Sequence, residues 1–347
     1  MGYVNFKQLE KNYSELYISE KYMEALNLLE VGAGSLPKEE FEKNLFTIMI
    51  DKAMLYKKCN LDEECIDTLA YLVDRQFICP LYRRLYEPLK ENVKYARLKE
   101  KNDLLRAQAQ EKTKFDYKVY LPEGYTEDKE YPVFINLHGD CENMGFHHDY
   151  WRPDVFLKKG FIVVYPQSSQ VIFHEGYGWL KYVLDVKGDE PWLDSPSVYR
   201  LSESSCYMKE SYDMAQAQIK TCYDMISQQY SINEDYIIIG GFSSGASISV
   251  EITMANVIPV KGFISLCPDD KPKIFSKEKV EQSIQRGVKG VFMEGEQSLP
   301  VPDEDDMMKV FNETGFQYEY YINKGVGHWY PEDLNEKLET ALNFILG

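Results

Sequence analysis

The spacing of apolar positions changes character near residue 112. Upstream of it, apolar side chains are interleaved with many Glu, Lys, Leu and Tyr and few strand-like runs occur, which predicts an all-helical region over residues 1–112. Downstream, "KFDYKVYLPEGY" alternates apolar and polar residues and stops at Pro122 and Gly124, predicting a strand. "YPVFINLHG" predicts a second, and "GFIVVYPQ" a third whose continuous apolar run suits burial on both faces of a parallel sheet. Met208, Tyr212, Ala215, Ile219, Cys222 and Ile226 then recur on one helical face. The apolar run Tyr236 to Ile239 predicts the next strand, and "KGFISLCP", "VKGVFMEG" and "FQYEYYIN" three more. The last segment reads as a helix, with Pro331 at its start and a stripe of Leu334, Leu338, Ala341, Leu342 and Ile345. Strands alternating with helices over residues 113–347 predict an α/β fold, a doubly wound and mainly parallel sheet.

The helical region carries a faint repeat. "YISEKYMEALNLLE" from Tyr17 and "YKKCNLDEECIDTLAYL" from Tyr56 each place an aromatic, a polar gap and an amphipathic helix, about forty residues apart. The pair resembles tetratricopeptide-type repeats, and an ordinary helical bundle accommodates the same pattern. "LKENVKYARLKEKNDLLRAQAQEKTK" follows as a charged helix or linker. A homodimer contact, a surface for a protein partner and a lid are the roles open to this region.

The chemistry gathers around "GGFSSGAS". Gly241-Phe-Ser243-Ser-Gly245 fits G-x-S-x-G, follows an apolar strand and precedes a helix-compatible segment, the setting of a nucleophile elbow. Glycines two before and two after the serine let strand and helix approach without Cβ clashes. The alternative is a Ser/Gly turn capping a helix. A serine hydroxyl needs a base within hydrogen-bond reach. Of five histidines, His328 lies in "NKGVGHWYP", between the last strand and the last helix, after the serine in chain order. The oxyanion hole needs two backbone N–H donors. Ser244, directly after the nucleophile, supplies one, and the amide of Asp140 or Cys141, after "INLHG", the other. His138 reads as a loop-stabilising residue, and the Asp140 charge would disfavour an anionic group nearby.

Taken together, "YKVYLPEGY", "YPVFINLHG", "GFIVVYPQ", "GGFSSGA" and "GVGHWYP" resemble, in order, the α/β-hydrolase superfamily. The likeness is to its small serine esterase branch, with feruloyl and acetyl esterases, polyhydroxybutyrate-depolymerase-like and dienelactone-hydrolase-like proteins. It spans residues 114–347. It implies the α/β-hydrolase fold, a serine nucleophile, a histidine base, an acyl-enzyme, no cofactor and a small-molecule ester substrate. It also implies an acid in the turn after "VKGVFMEG", and there the sequence departs: Ser298 stands in that place. Glu296 is the favoured substitute, with Asp303, Asp269, Asp270 or no acid at all as alternatives. A peptidase or thioesterase would use the same Ser–His pair. The missing acid and the repeat-like helices also fit a hydrolase-fold binding or scaffold protein.

Composition narrows the partners. The formal net charge of −17 repels phosphate backbones and anionic lipid, which argues against nucleic acid and membrane surfaces. Seven cysteines, odd in number and irregularly spaced, read as free thiols, and the N-terminus reads as lacking a signal peptide, so a cytoplasmic location is expected. The adjacent His147 and His148 diverge on any regular element, and no metal motif backs them. Two aromatic stretches, "GFHHDYW" and "VIFHEGYGWLKYV", read equally as pocket lining and as loop packing.

Overall fold

The computed structural model describes residues 3–179, 209–269, 271–298 and 304–347. Met208, Asp270, Asp303 and the last four residues of the "VIFHEGYGWLKYV" stretch lie outside the described residues. The chain divides into two compact units, one of Met1–Lys112 with Ile172–His174, the other of Thr113–Val171 and the described residues from Glu175 onward.

The first unit is helical: α1 (Phe6–Ile18), α2 (Tyr22–Ser35), α3 (Lys38–Lys43), α4 (Leu45–Lys58), α5 (Asp62–Asp74), a 3₁₀ turn (Arg84–Leu89) and α6 (Val93–Lys112). Helix α1 packs on α2, α2 on α4, α4 on α5 and α5 on α6. The forty-residue offset is visible in the turns. Glu20 and Asn60 both take a left-handed conformation (φ 59° and 58°). Each is followed by an N–H that reaches back five residues, Lys21 to the Leu16 carbonyl and Leu61 to the Tyr56 carbonyl, both at 2.9 Å. Both helices therefore end in the same carbonyl-capping turn. Helix α6 is not a free linker: buried Asn102 accepts from the Cys79 N–H at 2.7 Å and donates to the Cys79 carbonyl at 3.0 Å. Within this unit Phe173 stacks on Phe46 (5.9 Å) and the His174 ring meets Phe77 edge-on (4.4 Å), so this part of the second aromatic stretch is packing.

The second unit is built on β1 (Asp116–Tyr120), β2 (Tyr131–Leu137), β3 (Ile162–Gln167), β6 (Ile232–Phe242), β7 (Val260–Leu266), β8 (Lys289–Gly295) and β9 (Tyr318–Asn323). Their order is β1-β3-β2-β6-β7-β8-β9; β1 runs antiparallel to β3 and every other pairing is parallel. A small second sheet pairs β4 (Gln170–Phe173) with β5 (Gly176–Gly178), an element too short to leave a periodic signal. Alternate residues of the "YIII" run go to opposite faces. Ile237 and Ile239 join the core under α9 (Lys209–Gln229), with Ala215, Ile219, Cys222 and Ile226. Ile238 joins the core on the other face, with Leu338, Leu342 and Ile345 of α13 (Leu334–Leu346). Helix α13 begins at Leu334 with Asp333 as its cap, so Pro331 sits three residues ahead of the helix, in the turn that leads to it.

The chain leaves β2 towards β3 on one side and β6 towards β7 on the other. The crevice where these connections diverge, at the carboxyl ends of β2 and β6, is where an open α/β sheet accepts ligands.

Candidate active site

Ser243 stands between β6 and α10 (Ser244–Ala255) with φ 55° and ψ −122°, a conformation L-residues avoid. The turn is held because the Ser243 N–H donates to the Leu266 carbonyl on β7 (2.9 Å) and its carbonyl accepts from Ser247 N–H (3.1 Å). The flanking glycines are required by contact. A Cβ on Gly245 would lie 2.5 Å from the Leu137 and His138 carbonyl oxygens, and one on Gly241 2.6 Å from the Gly245 backbone. The hydroxyl thus reaches the sheet edge, where His328 Nε2 lies 2.9 Å from Ser243 Oγ.

His328 is carried on the loop from β9 towards α13. That loop is laced to the turn after β8: Glu296 N–H donates to Asn323 O (3.0 Å) and Gln297 N–H to Val326 O (2.9 Å). Gly295 permits the approach, since a Cβ there would fall 2.0 Å from the Gly327 oxygen. Glu296 itself is exposed, and its Oε2 accepts the Gly325 N–H at 2.8 Å, three residues before His328. Asp269, after β7, is buried; its Oδ1 accepts from the Ser247 hydroxyl at 2.7 Å.

Beside the serine, Ser244 opens α10, a helix of 12 residues, so its buried N–H belongs to the electropositive end. Of the two amides expected to complete the oxyanion hole, that of Cys141 donates to the Tyr177 carbonyl at 2.7 Å. The Asp140 carboxylate accepts the Trp179 N–H at 3.0 Å. His138 is fully buried, with Nδ1 2.7 Å from Gly139 O and Nε2 3.1 Å from Gln167 Nε2. Burial pushes its pKa down to about 4, so it stays neutral and fixes the loop.

The first aromatic stretch divides. Helix α7 (Met144–Tyr150) buries His147, while Phe146 and Tyr150 stay partly exposed beside Trp329, at ring separations of 6.2 and 5.2 Å. His147 Nδ1 lies 2.7 Å from the Tyr330 hydroxyl and Nε2 2.9 Å from Asn136 Oδ1. His148 stacks instead on Tyr120 at 5.0 Å. Among the described residues no group of three or more His, Cys, Asp or Glu is set to hold a metal ion, and no helix is long and apolar enough to cross a membrane.

Sequence reasoning did not single out Glu142 or Tyr330. Glu142 is buried and accepts the Gly139 N–H on Oε2 at 2.8 Å. The Tyr330 hydroxyl donates to the same carboxylate, at 3.0 Å from Oε2 and 3.2 Å from Oε1. Burial drives the Glu142 pKa up to about 7, and that of Tyr330 well above a phenol's usual value. No pattern pairs residues 188 apart, so only an acid four residues past His138 could have drawn notice.

No family model and no curated protein matches the chain. Among solved structures it is similar to an uncharacterised protein from Bacillus cereus ATCC 10987 (21% identity, all of both chains, TM-score 0.48). It is similar also to esterase PE8 (17% identity, 67% of this chain and 99% of that one, TM-score 0.49). A third is the S-formylglutathione hydrolase FrmB from Staphylococcus aureus (15% identity, 67% and 93%, TM-score 0.46). Independently of these likenesses, a mainly parallel sheet of this order, a strand–serine–helix elbow after β6 and a histidine after the last strand make up the α/β-hydrolase architecture.

Proposed function

We propose that the protein is a serine hydrolase acting on carboxylic esters. The observation that carries this reading is the 2.9 Å pair of Ser243 Oγ and His328 Nε2, formed at a strained elbow from residues 85 apart in sequence. A hydroxyl in plain turn chemistry needs neither the strain nor the imidazole. Ser243 attacks the acyl carbon while His328 takes its proton. The Ser244 N–H, with the Asp140 amide as second donor, receives the developing oxyanion. His328 then returns the proton to the leaving alkoxide, and water, deprotonated in turn by His328, releases the acyl group and restores Ser243.

Glu296 serves the base through its loop. By accepting the Gly325 N–H it fixes the turn on which His328 rides. An aryl ester, a thioester and a peptide differ only in the leaving group that His328 protonates, so a substrate panel decides among them.

A fluorophosphonate probe tests the reading. Wild-type protein is expected to be labelled on Ser243, and Ser243→Ala is expected to resist labelling. Failure to label the wild type, or equal labelling of both, overturns the enzyme assignment in favour of a binding protein with a hydrolase architecture.

A further inference from the structure

Two loops must keep register for the proposed chemistry to work. One runs from the end of β2 and holds Gly139 and Asp140; the other leaves β9 and holds His328. The Glu142 carboxylate touches both. Its Oε2 accepts from Gly139 N–H at 2.8 Å, one residue before the proposed oxyanion donor. The Tyr330 hydroxyl, two residues past the base, donates to it at 3.0 Å. The contact is enclosed: Glu142 is 7% and Tyr330 6% exposed, and the Phe242 ring, next to the nucleophile, lies 4.3 Å from that of Tyr330. The approach is also selected sterically, since a Cβ on Gly139 would come within 2.9 Å of Phe242 and 3.2 Å of Glu142 Oε2.

The link continues behind Tyr330. Its hydroxyl also lies 2.7 Å from Nδ1 of buried, neutral His147, and His147 Nε2 lies 2.9 Å from Asn136 Oδ1. The series ends on the Glu142 carboxyl, which also takes the Gly139 N–H. A buried series in which each member is satisfied by the next resists displacement of any one.

We infer that Glu142 is a positioning residue, a buried tether through Tyr330 that holds the oxyanion loop and the histidine loop in register over one acyl carbon. This rests on the serine-hydrolase reading above. Glu142 itself touches no reacting atom. Its loss should reach the chemical step through misplacement of two groups that do, a kind of displacement that costs about a hundredfold.

The experiment compares Glu142→Ala, Glu142→Gln and Tyr330→Phe with wild type, on steady-state hydrolysis of a p-nitrophenyl ester and on fluorophosphonate labelling of Ser243. Thermal unfolding checks that each variant is folded. Glu142→Ala should lower kcat by about a hundredfold with KM changed by less than about threefold, because register and not substrate binding is lost. Tyr330→Phe should fall in the same direction, and the double variant no further than Glu142→Ala alone, as for two ends of one link. Glu142→Gln should recover most of the lost kcat, its carbonyl accepting from Gly139 and its amide donating to the Tyr330 oxygen, while the Tyr330 hydroxyl turns its proton to His147 Nδ1. If Glu142→Ala does not fold, Tyr330→Phe and Glu142→Gln carry the test. Folded variants with kcat within about twofold of wild type overturn the tether, as does a Gln variant no better than Ala. A wild type that neither turns over nor labels overturns the hydrolase reading, and the tether's role in catalysis with it.

Discussion

Each unit of the molecule buries a carboxyl against a tyrosine, and the two have different surroundings. In the helical unit Asp51 of α4 accepts from the Tyr13 hydroxyl of α1, and in the sheet unit Glu142 accepts from Tyr330. Burial pushes both pKa values up to about 7, from 3.8 and 4.5. Asp51 Oδ1, however, has no hydrogen-bond partner, whereas the Glu142 carboxyl is shared between a backbone N–H of its own loop and a tyrosine on another. Asp51 pins helix to helix. Glu142 pins together two loops that carry the proposed reacting groups. Desolvation is enough to raise a buried acid's pKa, so a raised value does not identify a functional residue; what the acid holds does.

The reference for any catalytic loss is His328→Ala, expected to reduce ester turnover by roughly a million-fold, as removal of a base does in a dissected serine hydrolase. An effect within tenfold would remove His328 from its role. The comparison itself is then broken by paired truncation. Glu142→Ala is expected to lose kcat as described above. Asp51→Ala is expected to keep kcat within about twofold while losing about 1–3 kcal/mol of stability, because the buried hydrogen bond from the Tyr13 hydroxyl loses its carboxyl acceptor. Urea unfolding and ester kinetics on the two variants read both quantities, and equal catalytic losses would erase the distinction.

A smaller effect sharpens it with pH. Folded Asp51 holds its proton up to about pH 7, while the unfolded chain releases it near 3.8. The folded state therefore binds the extra proton between these values, and the stability it contributes is complete below about pH 4 and lost as pH rises to about 7. Glu10 adds to the upward shift and Arg83 opposes it. Asp51→Asn cannot ionise, so its melting temperature should gain on wild type between pH 5 and pH 8. Parallel melting curves across that range would refute the buried proton. The smallest change is expected from Glu296→Gln, which still offers a carbonyl to the Gly325 N–H. A fall in kcat of about tenfold or less is expected; a loss of several orders of magnitude would instead assign its charge to the imidazolium.

What could be read along the chain was whatever local sequence dictates. The central strands carry apolar runs because a sheet covered on both faces must bury their positions, as Ile237, Ile238 and Ile239 do, whereas β1 and β9 at the sheet edges leave positions exposed. Gly241, Ser243 and Gly245 announce the elbow because a tight strand–helix turn excludes Cβ atoms at fixed spacing. His328 could be placed because the order of elements fixes which loop it occupies. The β4–β5 hairpin and the start of α13 at Leu334 gave no such signal, because three- and four-residue elements have no period and Pro331 is equally at home in a turn. The two carboxyls show the same limit. Nothing in "DCEN" or "TIMIDKAM" says which acid meets a tyrosine, since the partners lie 188 and 38 residues away.

The sequence by itself determined the alternation of strand and helix and the places of Ser243 and His328 in it, because backbone period and turn sterics act over a few residues. Tertiary structure alone decided that the Cys141 amide is taken by Tyr177, that Glu296 holds Gly325, that residues 172–174 join the helical unit, and that Glu142 bridges two loops. Each of these is a contact between distant segments, and its free energy exists only once the sheet and helices have brought them together.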